Sequence, residues 1–167
     1  FIFLVVATSA PTTDGFMGIF TAAPGFTIAN PNAGVTLSGQ QSLKIELGMA
    51  AEWFQQPTNK QLTVRLIGSQ VYSNGSGGNC EILIEQLVTP TTADLVQYTI
   101  PLNSMTLAQP CNGGGFTSGV TTLAEALAKP IGQIHVQAIF PRVNTTVKNG
   151  AGTEYPTGFT RGSVSFE

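Results

Sequence analysis

The chain has 167 residues, of which only 10% are Asp, Glu, Lys or Arg, while 19 are Gly and 10 are Pro. Its seven Lys and Arg residues are scattered and the formal net charge is −2, so it lacks the basic surface that binds a nucleic-acid backbone. A chain of this length buries about two-thirds of its unfolded surface in one core, and we expect residues 1–167 to form a single domain.

An apolar segment opens the sequence, from Phe1 to Val6, and it is far shorter than the roughly 20 residues that span a bilayer. Two interpretations are open: the end of a signal-peptide core, or a strand with both faces apolar. We adopt the strand, which must then be covered on both sides. The cover would come from its own domain or from a neighbouring subunit that gains a strand, giving a homo-oligomer or filament.

Short apolar runs broken by Gly, Pro and Asn clusters follow, and many alternate apolar with polar residues, as strands do. Leu62, Val64 and Leu66, for example, alternate with Thr63 and Arg65. The number and spacing of these runs predict an all-β fold, a two-sheet antiparallel β-sandwich. The predicted strands are 1–8, 16–20, 25–29, 42–47, 61–69, 80–88, 95–101, 133–140 and 162–166.

Two short helices are also predicted. The first covers 48–56 and ends before Pro57; the second covers 122–129 and ends before Pro130. In the second, Thr122 provides a capping hydroxyl and Glu125 occupies the capping-box position. The Gly-rich segments 73–79 and 112–119 lack the lysine of a phosphate-binding loop, and we predict ordinary loops there.

Compartment is indicated by the cysteines and by two glycosylation sequons. Cys80 and Cys111 allow one pairing, and a disulfide is expected in a secreted β domain, with two buried thiols as the alternative. The sequons place acceptor residues Asn74 and Asn144 in predicted loops. Cysteines and His135 show no metal-ligand spacing, so neither metal nor cofactor is expected. The sequence predicts an extracellular glycoprotein.

Catalytic motifs are scarce. The chain has one histidine, and it contains neither a nucleophile elbow nor a zinc-protease motif. A glycosidase needs only two carboxylates, but nothing in the spacing of Glu46, Glu81, Glu85 and Asp94 selects a pair. We expect a non-catalytic protein, with a small hydrolase as the weakest of three hypotheses.

A polar sheet face is the best candidate for binding. If the strands with Lys44 and Glu46, Thr63 and Arg65, Glu81 and Glu85, and His135 and Gln137 share one sheet, their side chains form a patch beside loop aromatics. Such a patch suits sugars, whose hydroxyls need polar partners and whose apolar faces stack on rings. The alternatives are a core position for Trp53 and ordinary surface charge pairs. The candidate ligand-binding residues are Trp53, Arg65, Tyr72, Glu85, His135, Gln137 and Tyr155.

Several loose motifs resemble those of the jelly-roll carbohydrate-binding modules. They are the strand from Gly39 through Ser42-Leu43 to Ile45, the run Tyr98-Thr99-Ile100-Pro101-Leu102, the segment from Leu123 to Ile134, and the closing run from Phe159 to Glu167. The resemblance spans most of the chain and implies a jelly-roll fold. In the closing strand Arg161 and Gly162 replace an acidic pair that often lies near a calcium site, so the resemblance supports the fold more than a sugar.

The leading functional hypothesis is a secreted, non-catalytic module that binds a polysaccharide or other glycan through its polar sheet face or loop rim. The alternative is a structural subunit of an extracellular assembly, such as a fibre, surface layer or capsid protrusion. Low charge and many Thr, Asn and Gly residues fit both classes, and the apolar run from Phe1 to Val6 suits packing between subunits.

Overall fold

A computed structural model describes residues 15–22, 34–49, 61–140 and 159–167. Within them the chain forms ten strands, one short α-helix and one 3₁₀ turn at Leu102–Ser104. The strands and helix are β1 (Gly15–Ala22), β2 (Ser42–Met49), β3 (Leu62–Ser73), β4 (Asn79–Val88), β5 (Val96–Pro101), β6 (Thr106–Gln109), β7 (Asn112–Gly113), β8 (Phe116–Thr117), α1 (Leu123–Leu127), β9 (Ile131–Phe140) and β10 (Phe159–Phe166).

The strands form two main antiparallel sheets. The larger has the order β1-β9-β3-β4-β6, the smaller has the order β10-β2-β5, and β7 and β8 form a separate two-stranded hairpin. The predicted all-β fold of two antiparallel sheets with a short helix is confirmed. In the described part of the chain, no helix has the length and apolar character needed to cross a membrane.

The hydrophobic core consists of the alternating apolar side chains on the inner faces of the sheets. On β3, Leu62, Val64 and Leu66 are fully buried, and their neighbours on β9 and β4 share that face because directly paired residues point the same way. Burial of each such side chain contributes about 1.5–3 kcal/mol. The other fully buried core residues on strands are Leu43, Ile45, Leu47, Ile82, Ile84, Ile131 and Val136.

Most predicted elements within the described residues occur, with bounds shifted by a few positions. The helix predicted at 122–129 is α1, and its capping box is present: Thr122 Oγ1 accepts from the Glu125 backbone N–H, and the Glu125 carboxylate accepts from the Thr122 N–H. The helix predicted at 48–56 is wrong at its start. Gly48 and Met49 continue β2 because Met49 extends the apolar core side of that strand.

Other differences fall in segments where hydrophobic alternation is short or absent. β6 and the β7–β8 hairpin were not expected, since four residues and two residues give too little pattern to predict a strand. The predicted strands at 1–8 and 25–29, including the segment from Phe1 to Val6, lie outside the described residues, as does the rest of the helix predicted at 48–56.

The expected disulfide between Cys80 and Cys111 is present, with a Cα–Cα distance of 5.7 Å. Cys80 lies on the core side of β4, opposite Tyr72 on β3. Cys111 lies beyond the end of β6, where its φ of 54° is a left-handed conformation that favours glycine. The bond therefore holds the entrance of the Gly-rich hairpin against the five-stranded sheet.

Replacing both Cys80 and Cys111 by Ala should lower the free energy of unfolding by about 3–4 kcal/mol, because the bond closes a loop with a sequence separation of 31. Urea unfolding of the variant and of the wild type is the measurement. Wild type unfolded with a thiol reductant serves as control and should match the variant. A loss below about 1 kcal/mol would contradict the expected contribution.

A bulge where β10 pairs with β2 depends on a glycine. The register shifts between Arg161 and Val164, and inside this bulge the Ser163 N–H donates to Glu46 Oε2 at 2.7 Å. That hydrogen bond lowers the pKa of Glu46. A Cβ on Gly162 would lie 2.9 Å from the Glu46 Cβ and would also collide with its Oε2. Glycine at this position therefore lets the carboxylate reach the backbone.

Gly162→Ala should destabilise the protein by about 1–2 kcal/mol, because the new methyl group displaces the Glu46 side chain. Chemical denaturation measures the change, and Ser165→Ala, at an exposed position of the same strand, is the control. In a Glu46→Ala background the same glycine substitution should cost less. Equal costs in both backgrounds would show that the Glu46 carboxylate does not cause the loss of stability.

Candidate functional site

The predicted polar residues meet on the outer face of the five-stranded sheet. Arg65, in the middle of β3, is paired with Glu85 on β4 and with His135 on β9, while Gln137 is its diagonal neighbour. Arg65 Nε donates to Glu85 Oε2 at 2.8 Å, and Arg65 Nη1 donates to Gln137 Oε1. We call these four residues the polar row. It links three adjacent strands through one guanidinium group.

Exposure increases along the polar row from β9 towards β4. His135 and Gln137 have relative exposures of 4% and 8%, whereas the side chains of Arg65 and Glu85 have 28% and 31%. Leu87, two residues after Glu85 on the same face of β4, is 54% exposed. A ligand can therefore reach the Arg65–Glu85 pair and Leu87, while His135 and Gln137 support the pair from the buried side.

Burial and charge keep His135 neutral. Loss of solvent, together with the positive charge of Arg65, its direct neighbour on β3, lowers the pKa of the imidazole to about 4. At neutral pH, a neutral ring beside Arg65 avoids placing two cations next to each other on a mostly covered sheet face. His135 is a structural member of the row, and a ligand-binding role for its ring stays a prediction.

Tyr72 lies away from the polar row, contrary to the expectation that it stands in a loop beside the polar face. β3 continues to Ser73, so Tyr72 is a strand residue, and it packs into the core on the side that carries Cys80. Its hydroxyl donates to Gln70 Oε1 at 3.2 Å, and burial raises the pKa of the phenol. Tyr72 lies an even number of residues after Leu66, so both side chains point to the core face of β3.

Lys44 and Glu46 do not share the sheet of the polar row. Both lie on β2, in the three-stranded sheet. Lys44 Nζ forms a salt bridge with Glu167 Oε2 at 2.6 Å, and the Glu46 carboxylate binds the backbone of the β10 bulge. The expected patch therefore consists of residues from β3, β4 and β9, and the residues of β2 do not belong to it.

Three of the predicted residues, Trp53, Tyr155 and the sequon residue Asn144, lie outside the described residues. The other sequon residue, Asn74, lies in the turn between β3 and β4. Its Oδ1 accepts hydrogen bonds from the backbone N–H groups of Ser76 and Gly78, both at 2.9 Å. This Asx-type turn fixes the side chain, and glycosylation there stays a prediction.

Residues that sequence reasoning did not select line a groove at the flank of the sandwich, next to Leu87. Gln86 enters it from β4 and Tyr98 from β5. The sequence could have identified Gln86, because alternation places this polar residue among apolar ones on one side of β4. The apolar residues of that side are Cys80, Ile82, Ile84 and Val88. In the part of the chain that the structure describes, no group of three or more His, Cys, Asp or Glu residues could hold a metal ion.

Comparisons of the chain with protein-family models, with curated proteins and with solved structures gave no match. The chemistry of the polar row and of the flank groove therefore carries the functional argument.

The pKa of His135 makes stability dependent on pH in a defined window. Between about pH 6.5 and 4 the unfolded chain binds a proton at this residue that the folded protein does not, so stability falls as the pH decreases. We expect a loss of about 2 kcal/mol between roughly pH 7 and pH 5, measured by urea unfolding. His135→Gln should flatten this slope whatever its effect on absolute stability, and an unchanged slope would assign the pH dependence to other groups.

Proposed function

We propose that this protein is a non-catalytic glycan-binding module whose accessible contact surface is the Arg65–Glu85 pair with the adjacent Leu87. The observation that carries the proposal is the polar row itself. One guanidinium group is held between Glu85 and Gln137 by hydrogen bonds, while about three-tenths of the Arg65 and Glu85 side chains stays exposed. Such a pair is fixed in position before a ligand arrives, so little side-chain freedom is lost on binding.

The pair offers both kinds of hydrogen-bonding group that sugar hydroxyls need. Hydrogen bonds to described residues use two of the five N–H donors of the Arg65 guanidinium. The carboxylate of Glu85 accepts from Arg65 through Oε2, and its Oε1 is a second acceptor. A hydroxyl both donates and accepts, so neighbouring hydroxyls of one sugar ring match a carboxylate beside a guanidinium.

An aliphatic surface beside the pair complements the carbon face of a sugar. Leu87 lies on the same face as Glu85 and exposes more than half of its side chain. Sites for small polar ligands commonly combine apolar walls with a few placed polar groups. Trp53 and Tyr155 remain candidates for an aromatic platform.

An extracellular location is part of the proposal. The Cys80–Cys111 disulfide supports it, because structural disulfides form and persist in oxidising compartments. The fold supports a glycan-binding role only by analogy, since two-sheet β domains host many functions.

Glu85→Gln should weaken glycan binding by about 1–2 kcal/mol, since the amide keeps the shape but removes the charge that strengthens hydrogen bonds to hydroxyls. Binding is measured first on an array of plant, fungal and bacterial glycans and then by calorimetry with the fragments that bind. Glu81→Gln is the matched control, because Glu81 lies on the same face of β4 four residues away.

Two results would reject the proposal. One is a wild-type protein that binds none of the arrayed glycans. The other is a Glu85→Gln variant that is as stable as the wild type and binds with the same affinity. A change in thermal stability of Glu85→Gln identifies any effect that arises from folding rather than from contact with the sugar.

A further inference from the structure

The flank groove lies between β4 and β5, which belong to different sheets. Its volume is about 270 Å³, just below the range of about 300–1,000 Å³ that is typical of ligand sites. Gln86 and Leu87 line it from the five-stranded sheet, while Tyr98, Thr99 and Ser104 line it from the other side. This size suits one small polar unit rather than a large cofactor.

Gln86 is a polar residue at a core-side position. It is paired with the fully buried Val64 on β3, and its neighbours on the same side of β4 are Ile84 and Val88, both buried. Its Nε2 donates to the Leu87 carbonyl oxygen at 3.1 Å, which leaves Oε1 as an acceptor at the groove. An apolar residue here would extend the row of core side chains, so the amide is a feature of the groove rather than of the core.

Tyr98 approaches the groove from the opposite sheet. It is paired with the fully buried Ile45, and its hydroxyl accepts a hydrogen bond from the Thr91 N–H at 3.2 Å, which fixes the ring. In the described part of the chain β5 is an edge strand, and an edge strand presents unpaired backbone N–H and C=O groups. The groove thus combines an amide, hydroxyls and backbone groups with the aliphatic surfaces of Leu87 and Ile100.

The groove has no charged lining residue among the described residues, in contrast to the Arg65–Glu85 pair. The two surfaces are continuous, because Leu87 lies on the same face as Glu85 and also lines the groove. Glu85 and Leu87 are two residues apart, which in a strand is about 6–7 Å. One extended ligand can therefore contact the charged pair and enter the groove.

We propose that the flank groove is a subsite for one uncharged sugar residue of an oligosaccharide whose next residues contact Arg65 and Glu85. This inference rests on the proposed glycan-binding function and adds a chain-length requirement to it. The shortest ligand contacts the Arg65–Glu85 pair, whereas a longer oligosaccharide also enters the groove and gains the hydrogen bonds of Gln86 and of the β5 edge.

The test compares neutral oligosaccharides of one, two, four and six units from the cello-, xylo- and chito- series by calorimetry. Affinity of the wild type should rise by about threefold to tenfold when the chain becomes long enough to fill the groove, the gain expected from one or two added hydrogen bonds. Gln86→Leu should lose this gain and keep the affinity for the shortest ligand that binds. Leucine continues the apolar row of β4, so this variant should remain folded.

Gln97→Ala is the control, because Gln97 is exposed on β5 and does not line the groove. NMR titration adds a direct readout: the side-chain amide of Gln86 should shift with the longer ligands and not with the monosaccharide. If the wild type binds none of the three series, both the proposed function and the subsite are rejected. If it binds them and Gln86→Leu keeps the full length dependence, the subsite alone is rejected.

A second copy of the chain is the competing occupant of the β5 edge. Light scattering coupled to size-exclusion chromatography measures the mass of the protein and so distinguishes a dimer from a monomer. A wild-type dimer that becomes monomeric in Gln86→Leu, with unchanged glycan affinity, would overturn the subsite. A wild type whose mass is unchanged by the substitution, with the length dependence lost, supports it.

Discussion

The strands have one apolar and one polar face, and the rest of this structure depends on burying their apolar faces in one core. Leu43, Ile45 and Leu47 of β2 face Leu62, Val64 and Leu66 of β3 across one core, and all six are fully buried. Because side chains alternate with a period of two, a slip of one residue in either sheet would turn these groups to the outside. The core therefore fixes the register of each strand, and the register fixes every outward position.

The polar row is a direct consequence of that register. With its even-numbered neighbours held inward, Arg65 must point to the outer face, where β4 and β9 place Glu85, His135 and Gln137 around it. The outer face is largely covered near β9, and buried polar groups are stable only when they are hydrogen-bonded. Arg65 meets that need for Gln137, while about three-tenths of its own side chain stays exposed. One side chain, that of Arg65, thus provides both a hydrogen bond to a buried residue and part of the accessible polar surface.

The flank groove lies where a polar residue interrupts the core side of β4. Along β4, Gln86 interrupts the buried row of Ile82, Ile84 and Val88, and it lines the groove together with Tyr98 of the other sheet. At the other end of β4, the disulfide joins Cys80 to Cys111, which directly precedes the Gly-rich hairpin. The disulfide and the groove therefore lie at opposite ends of β4, and Glu85 directly precedes the groove residues Gln86 and Leu87. This arrangement places polar groups of two kinds within reach of one extended ligand.

The sequence by itself determined the properties that depend on near neighbours. Alternation predicted β2, β3, β4 and β9 because a period of two is visible within a few residues, and the capping box of α1 was visible because Thr122 and Glu125 are three positions apart. The disulfide was predictable because two cysteines allow one pairing. Arg65, Glu85, His135 and Gln137 were selected as outward residues for the same local reason.

Tertiary structure alone decided which strands became neighbours and how much of each side chain stayed exposed. Lys44 and Arg65 show the same outward alternation, yet they lie in different sheets. Strand pairing brings together residues that are distant in sequence, such as Arg65 and Gln137, which are 72 positions apart and hydrogen-bonded. The core position of Tyr72 depended on how far β3 extends, and the partial exposure of Arg65 depended on how the neighbouring strands pack around it. These properties depend on long-range packing, and a local pattern of apolar and polar residues carries no information about such packing.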